Sequence, residues 1–150
     1  MDIEIKGPWA RKQIDDYLAE SRLPVRLACI GEDGFPRVAS VWFQYSDGSL
    51  LCATRRDSPL ANMIRRNPRV GFEVATNDAP YYGVRGQGMA SLSDVGGAQT
   101  LEALIDRYLG TSNAELGTWL MSRADEEVLL KVEIQRFYSW DYRKRMESVA

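Results

Sequence analysis

The stretch Val25–Arg55, VRLACIGEDGFPRVASVWFQYSDGSLLCATR, decides how this chain folds. Val25, Leu27 and Cys29 recur at a period of two, which puts them on one face of an extended strand. Glu32-Asp33-Gly34 interrupts that run, and a second extended run follows from Arg37 to Tyr45. Asp33-Gly34 and Asp47-Gly48 both supply residues that tolerate the positive φ of tight hairpin turns. The spacing therefore predicts three strands, over 24–31, 36–46 and 49–55, joined as a meander of antiparallel hairpins.

Upstream of this core the period changes. Ala10, Ile14, Tyr17 and Leu18 fall at helical spacing between Pro8 and Glu20, with the proline near the first turn, where its missing N–H costs little. Downstream, Asp57-Ser58-Pro59 offers a capping side chain followed by proline at a first helical position. Leu60, Met63 and Ile64 share a face, and Arg65-Arg66 precede a stop at Asn67-Pro68. Val70, Phe72, Val74 and Thr76 then alternate as a fourth strand, and Tyr81 to Leu92 forms a fifth after the Asn77-Asp78-Ala79-Pro80 turn. Glycines at 83, 86 and 88 weaken that fifth strand; a bulge, a barrel bend and the close approach of a ligand all account for them.

Leu101, Leu104, Ile105, Tyr108 and Leu109 make a helical stripe that stops at Gly110. Ser112-x-x-Glu115 is a capping box for a further helix containing Leu116, Trp119 and Leu120. Val128, Leu130, Val132 and Ile134 alternate with polar or outward residues in a final strand that reaches Trp140. Six strands and four short helices in this order predict a mainly β fold, a six-stranded antiparallel barrel, closed or nearly so, with peripheral helices; a flat antiparallel α+β sheet gives a similar string.

Composition narrows the function. A length of 150 residues suits a single domain over 1–150, and 45% hydrophobic with 27% charged residues marks a compact fold. Nineteen Lys and Arg against 21 Asp and Glu leave a net charge of −2, so no global positive field exists to hold a nucleic acid. The chain has no histidine, which removes the commonest general base, the commonest zinc ligand and every Ser-His or Cys-His pair. Cys29 and Cys52 lie too far apart in sequence for a redox dithiol or a four-ligand metal site and are expected as buried thiols. The amino terminus lacks the basic and apolar regions of a signal peptide and no run spans a membrane, which implies a cytoplasmic protein.

Against this acidic background, Arg37, Arg55, Arg56, Arg65, Arg66 and Arg69 gather in one segment. Arg55 and Arg56 immediately precede the helix that starts at Ser58-Pro59, where free N–H groups and the helix dipole favour an anion such as a phosphate. The same arginines also fit a solvated loop with ordinary helix-end cations.

The order of features resembles the pyridoxamine 5′-phosphate oxidase-like superfamily of flavin-binding split barrels. The resemblance rests on Phe35-Pro36-Arg37-Val38-Ala39-Ser40-Val41, Leu51-Cys52-Ala53-Thr54, Asn67-Pro68-Arg69-Val70, the Gly-x-Ala of Gly88 to Ala90, and Trp140-Asp141-Tyr142. It implies a homodimer holding FMN, or the deazaflavin F420, at the subunit interface. By this resemblance Arg37 takes the cofactor phosphate while Val38, Ala39 and Ser40 pass the ring. Ala53 and Thr54 end the following strand against ring and phosphate, and Ser58 sits at the helix start. Gln87 is a candidate for a hydrogen bond to the ring edge, and Trp140 for a contact from the partner subunit; Trp42, Tyr81 and Tyr82 are further aromatic candidates.

Two departures qualify the resemblance. Pro59 and Leu60 stand where many relatives carry a cation, so Arg55 and Arg56 supply the charge. Trp42 stands where the authentic oxidase has a lysine, and the histidine of its carboxy-terminal pair is absent, so authentic pyridoxamine phosphate oxidase activity is not expected. The expectation is a flavin-dependent oxidoreductase serving a small-molecule substrate, because the flavin brings its own redox chemistry and needs only orientation and phosphate neutralisation. The alternative is a non-catalytic binder of flavin, F420 or a tetrapyrrole.

Overall fold

The computed structural model describes residues 2–147; Met1 and residues 148–150, the ends of the expected 1–150 domain, lie outside the described residues. Its elements in chain order are β1 (Glu4–Lys6), α1 (Arg11–Glu20), β2 (Val25–Ile30), β3 (Pro36–Val41), β4 (Gln44–Ser46), β5 (Ser49–Arg55), α2 (Pro59–Arg66), β6 (Arg69–Ala75), β7 (Tyr82–Ser93), α3 (Gly97–Tyr108), α4 (Ala114–Met121), a single 3-10 turn (Ala124–Glu126), β8 (Glu127–Asp141) and α5 (Arg143–Glu147). The strands form one sheet in the order β3-β2-β6-β7-β8-β5-β4, with β1 parallel to β8 at its side. The class is the expected mainly β fold with peripheral helices, but the described strands number eight rather than six.

One of the extra strands comes from the expected 36–46 segment, which is divided. Its first half, β3, pairs with β2, and its second half, β4, pairs with β5 at the opposite end of the strand order. The chain itself therefore carries the barrel from one edge to the other across Trp42 and Phe43. At this break the fully buried Phe43 has no ladder partner, and the Tyr108 hydroxyl takes that role. It accepts the Phe43 N–H at 3.2 Å and donates toward the Leu23 and Phe43 carbonyls at 3.0 and 3.3 Å. Trp42 stacks on the same tyrosine ring, 5.1 Å between centroids and 5° from parallel.

The other extra strand, β1, is three residues long and too short to register as a periodic pattern. Its partner is the second half of β8, whose first half pairs with β5. From Leu129 to Asp141 β8 also pairs with β7, with a bulge at Gln87/Gly88. The three β7 glycines are accounted for by this crowding. A Cβ at Gly83, Gly86 or Gly88 would lie 2.6, 2.2 or 2.4 Å from a carbonyl oxygen of a neighbouring strand.

The inward faces of these strands meet around Phe43, Phe137, Leu27, Leu50, Leu130 and Val84, all with no measurable exposure, and α1 closes one end with Ile14 and Leu18. Each such side chain contributes about 1.5–3 kcal/mol by leaving water. Arg107 of α3 ties α1 in place. Its guanidinium donates to the Leu18 and Ala19 carbonyls at 2.9 and 2.8 Å and to that of Ser21, so the last turn of α1 is capped by a side chain from 86 or more residues downstream.

Candidate functional site

Pleating separates the residues expected to hold a cofactor. In β3, Val38 and Ser40 pair with Ala28 and Arg26, whose side chains face away from the core. Arg37 and Ala39 pair with the buried Cys29 and Leu27 and therefore face the other way. Val38 is 70% exposed and its neighbour Phe35 is 69% exposed. Among the described residues β3 pairs with β2 alone, so its second edge offers backbone groups without a ladder partner over 36–41.

On its inward side β3 meets α2. Arg37 lines a groove of about 390 Å³ with Gly31, Glu32, Pro59, Asn62, Met63 and Arg66. Its guanidinium lies 3.1 Å from Asp33, and Arg66 lies 3.6 Å from Glu32. The Arg37 side chain passes Gly31 so closely that a Cβ there would be 3.1 Å from its guanidinium carbon.

At the start of α2, Ser58 is the N-cap: its hydroxyl accepts the Ala61 N–H at 3.0 Å and lies 2.7 Å from the Thr54 hydroxyl. Thr54 and Ser58 are thus together, at the turn that joins β5 to α2. Arg55 and Arg56 are exposed beside them. Arg55 stands 3.7 and 3.8 Å from Asp57 and Glu126, and Arg56 is 3.2 Å from Asp94. Glu127, cross-strand from Arg55, has its carboxyl pushed above the ordinary range by burial, with the Arg55 and Arg123 charges acting against that. Ala53, one position earlier, pairs with Leu129 of β8.

The remaining two expected residues lie elsewhere on the sheet. Gln87 pairs with Gly71 on one side and Arg136 on the other. Trp140, next to last in β8, pairs with Gly83, and its ring is taken by Arg85, whose guanidinium carbon sits 4.6 Å from the Trp140 centroid and 5.1 Å from that of Tyr138. Among the other aromatic candidates, Tyr82 belongs to a cluster with Trp9 and Tyr17, and Tyr81 is exposed.

Reading the register across the sheet reveals what the sequence alone concealed. Two rows of outward residues run perpendicular to the strands. One is Ser40, Arg26, Glu73, Arg85 and Tyr138; the next is Val38, Ala28, Gly71, Gln87 and Arg136. In the second row Ala28 and Gly71 are low, so a trough opens between taller neighbours, with a volume of about 760 Å³ on the side of Arg26 and Arg85. A Cβ on Gly71 would meet nothing nearer than 3.7 Å, so the space above it is open. Val38 and Gln87 line this trough at separate points, and Arg26, Ala28, Gly71, Glu73, Arg85, Arg136 and Tyr138 are among the lining residues that sequence reasoning missed. Period-two alternation marked several as outward, but only strand order places them side by side.

The family model described as pyridoxamine 5′-phosphate oxidase matches residues 10–141. A conserved hypothetical protein from Mycobacterium tuberculosis has the same fold at a TM-score of 0.77 and 26% identity, covering 93% of this chain and 89% of that one. A structure named F420 reductase matches at 0.63 and 24% identity over 81% and 94%, and a FAD-binding protein from Mesorhizobium loti at 0.62 and 20% over 87% and 93%. Among curated proteins, none matches the chain in sequence. No helix among the described residues is long and apolar enough to cross a membrane.

Proposed function

The chain belongs to the pyridoxamine 5′-phosphate oxidase family, and from that membership and the geometry around β3 we propose that it binds FMN or the deazaflavin F420 and passes electrons from a reduced donor to a small-molecule acceptor. The observation that carries this reading is the free edge of β3, flanked by Val38 on its outward side and by Arg37 on its inward side. A flat heterocycle with ring N–H and carbonyl groups satisfies such an edge, and a phosphate at one end of the same molecule meets a cation on the α2 side.

The residues present fit the group. Gly31 leaves room for the Arg37 guanidinium, and Arg66 and Asn62 line the same groove. Thr54 and Ser58 bring two hydroxyls to the first turn of α2, where N–H groups and the dipole favour negative charge. Arg55 and Arg56 reinforce that corner. Their carboxylate partners are surface pairs worth about 0–1 kcal/mol, which an incoming dianion displaces. The cofactor supplies the hydride or electron chemistry when bound; Val38, Ala39 and Ser40 orient it, and the arginines hold its charge.

Gln87 and Trp140 lie on β7 and β8, three and four strands from β3. Within one chain they do not reach the β3 edge, so their contacts to a ring there come from a second copy, which fits a homodimer with the cofactor at its interface. The experiment is cofactor retention and reduction. Arg37→Ala should lower the cofactor content of purified protein more than the Arg55→Ala/Arg56→Ala double variant, with both still folded; unchanged content in both variants would show the phosphate held elsewhere. Reduction of the bound chromophore by NADH, NADPH or reduced F420 would mark an oxidoreductase, whereas a chromophore that only photoreduces would mark a carrier.

A further inference from the structure

Where α1 closes the barrel, its exposed side borders a groove of about 320 Å³ that the cofactor reading leaves unused. Gln13, Asp16, Tyr17 and Glu20 line it from α1, spaced three, four and seven residues apart and therefore on one helix face. Trp9 lines it from just before the helix, Tyr82 from β7 and Arg143 from α5. Tyr82 shares its side of β7 with the fully buried Val84, so the groove lies across the sheet from the outward Arg85 and from the face given to a second copy. The three rings stand together, with centroids 5.1 Å apart for Trp9 and Tyr17, 6.1 Å for Trp9 and Tyr82, and 6.0 Å for Tyr17 and Tyr82.

This wall already accepts positive charge: the Arg143 guanidinium carbon sits 4.1 Å from the Tyr82 centroid. That guanidinium is matched by Asp141, to which its Nε donates at 2.9 Å, so it adds little net charge to the groove. Asp16 meets Lys12 at 3.0 Å in an exposed pair of the weak i,i+4 kind. Glu20 feels the Lys12 charge at a distance and makes no ion pair among the described residues. The aromatic rim is thus bordered by more negative charge than the groove itself neutralises. Much of the polar lining is engaged elsewhere. The Tyr17 hydroxyl donates to the Val74 carbonyl at 3.2 Å, the Trp9 indole N–H to Asp141 at 3.1 Å, and the Gln13 side-chain oxygen accepts the Ala10 N–H at 3.0 Å. What remains is ring surface and carboxylate charge, which suits a cation with no N–H groups to satisfy better than a strongly hydrated ammonium.

We propose that this groove binds a small quaternary ammonium compound, its methylated head against the rings of Trp9, Tyr17 and Tyr82 and its charge facing Asp16 and Glu20. Binding here shares no residue with the proposed cofactor site, so neither reading depends on the other.

The test is calorimetric titration of the purified full chain at constant ionic strength, with choline as the probe. Its uncharged isostere 3,3-dimethylbutan-1-ol and the primary amine ethanolamine serve as comparators. The expected result is saturable binding of choline, with each comparator at least tenfold weaker. Tyr82→Leu should weaken choline binding at least tenfold, whereas Tyr82→Phe keeps the ring and should bind within twofold of the parent. Asp16→Asn/Glu20→Gln alters two exposed positions on α1, so it should hold the melting temperature within a few degrees while weakening binding at least fivefold. That double variant decides the matter if Tyr82→Leu does not fold. No saturable binding of choline, equal binding of either comparator, or parent-like binding by the double variant would overturn the proposal.

Discussion

Ser58 was legible from its neighbours: a short polar residue directly before proline and an apolar helical stripe is an N-cap, and its hydroxyl does accept the Ala61 N–H. Ser58→Ala should cost about 1 kcal/mol in urea denaturation, with the α2 corner still formed. Asp141 was not legible in the same way, because its partners come from both ends of the chain. Arg143 hydrogen-bonds it, and Trp9 donates its indole N–H at 3.1 Å, so the carboxyl is held well below the usual range. A group whose folded pKa is depressed contributes stability above the unfolded carboxylate value of about 3.9 and loses it as pH falls through the folded value. Asp141→Asn should therefore be destabilising at neutral pH, with a gap to the parent protein that narrows progressively below about pH 4. Burial pushes the Cys52 thiol up to about 12 and raises that of Cys29, so neither should react with a thiol reagent until the protein is unfolded, whereupon both should.

At the scale of elements, period and turn residues located the major helices and strands, since those signals are local. They could not show that the 36–46 segment divides at Trp42 and Phe43, because the hydroxyl that replaces the ladder there belongs to Tyr108, 65 residues away. Tyr108→Phe removes that hydroxyl and leaves the Phe43 N–H without its partner. It should cost about 1–3 kcal/mol by thermal or urea unfolding, more than the same change at the exposed Tyr142. The short β1 was invisible for a related reason: three residues become a strand only when β8 lies beside them. The candidate site was divided in the same way. Arg37, Val38, Thr54 and Ser58 could be picked out along the chain, but the pleat that sends Arg37 and Val38 to opposite sides, and the register that aligns Ala28 with Gly71 and Gln87, exist only in the assembled sheet.

For the whole molecule three features come together: a β3 edge that no strand among the described residues covers, an outward face bearing Val38 and Tyr138, and proposed cofactor residues on strands that one chain cannot bring to one ring. A second copy meets all three. Val38→Glu puts a charge on a side chain that is 70% exposed, so it should leave the melting temperature within a few degrees of the parent while shifting the mass by light scattering from dimer toward monomer and lowering cofactor content. The central claim, that this fold holds a flavin-type cofactor along β3, is tested most directly by the absorbance spectrum of protein purified without added cofactor, followed by mass spectrometry of what denaturation releases. The account predicts one released FMN or F420 per chain. A colourless protein that also takes up neither on titration would contradict it.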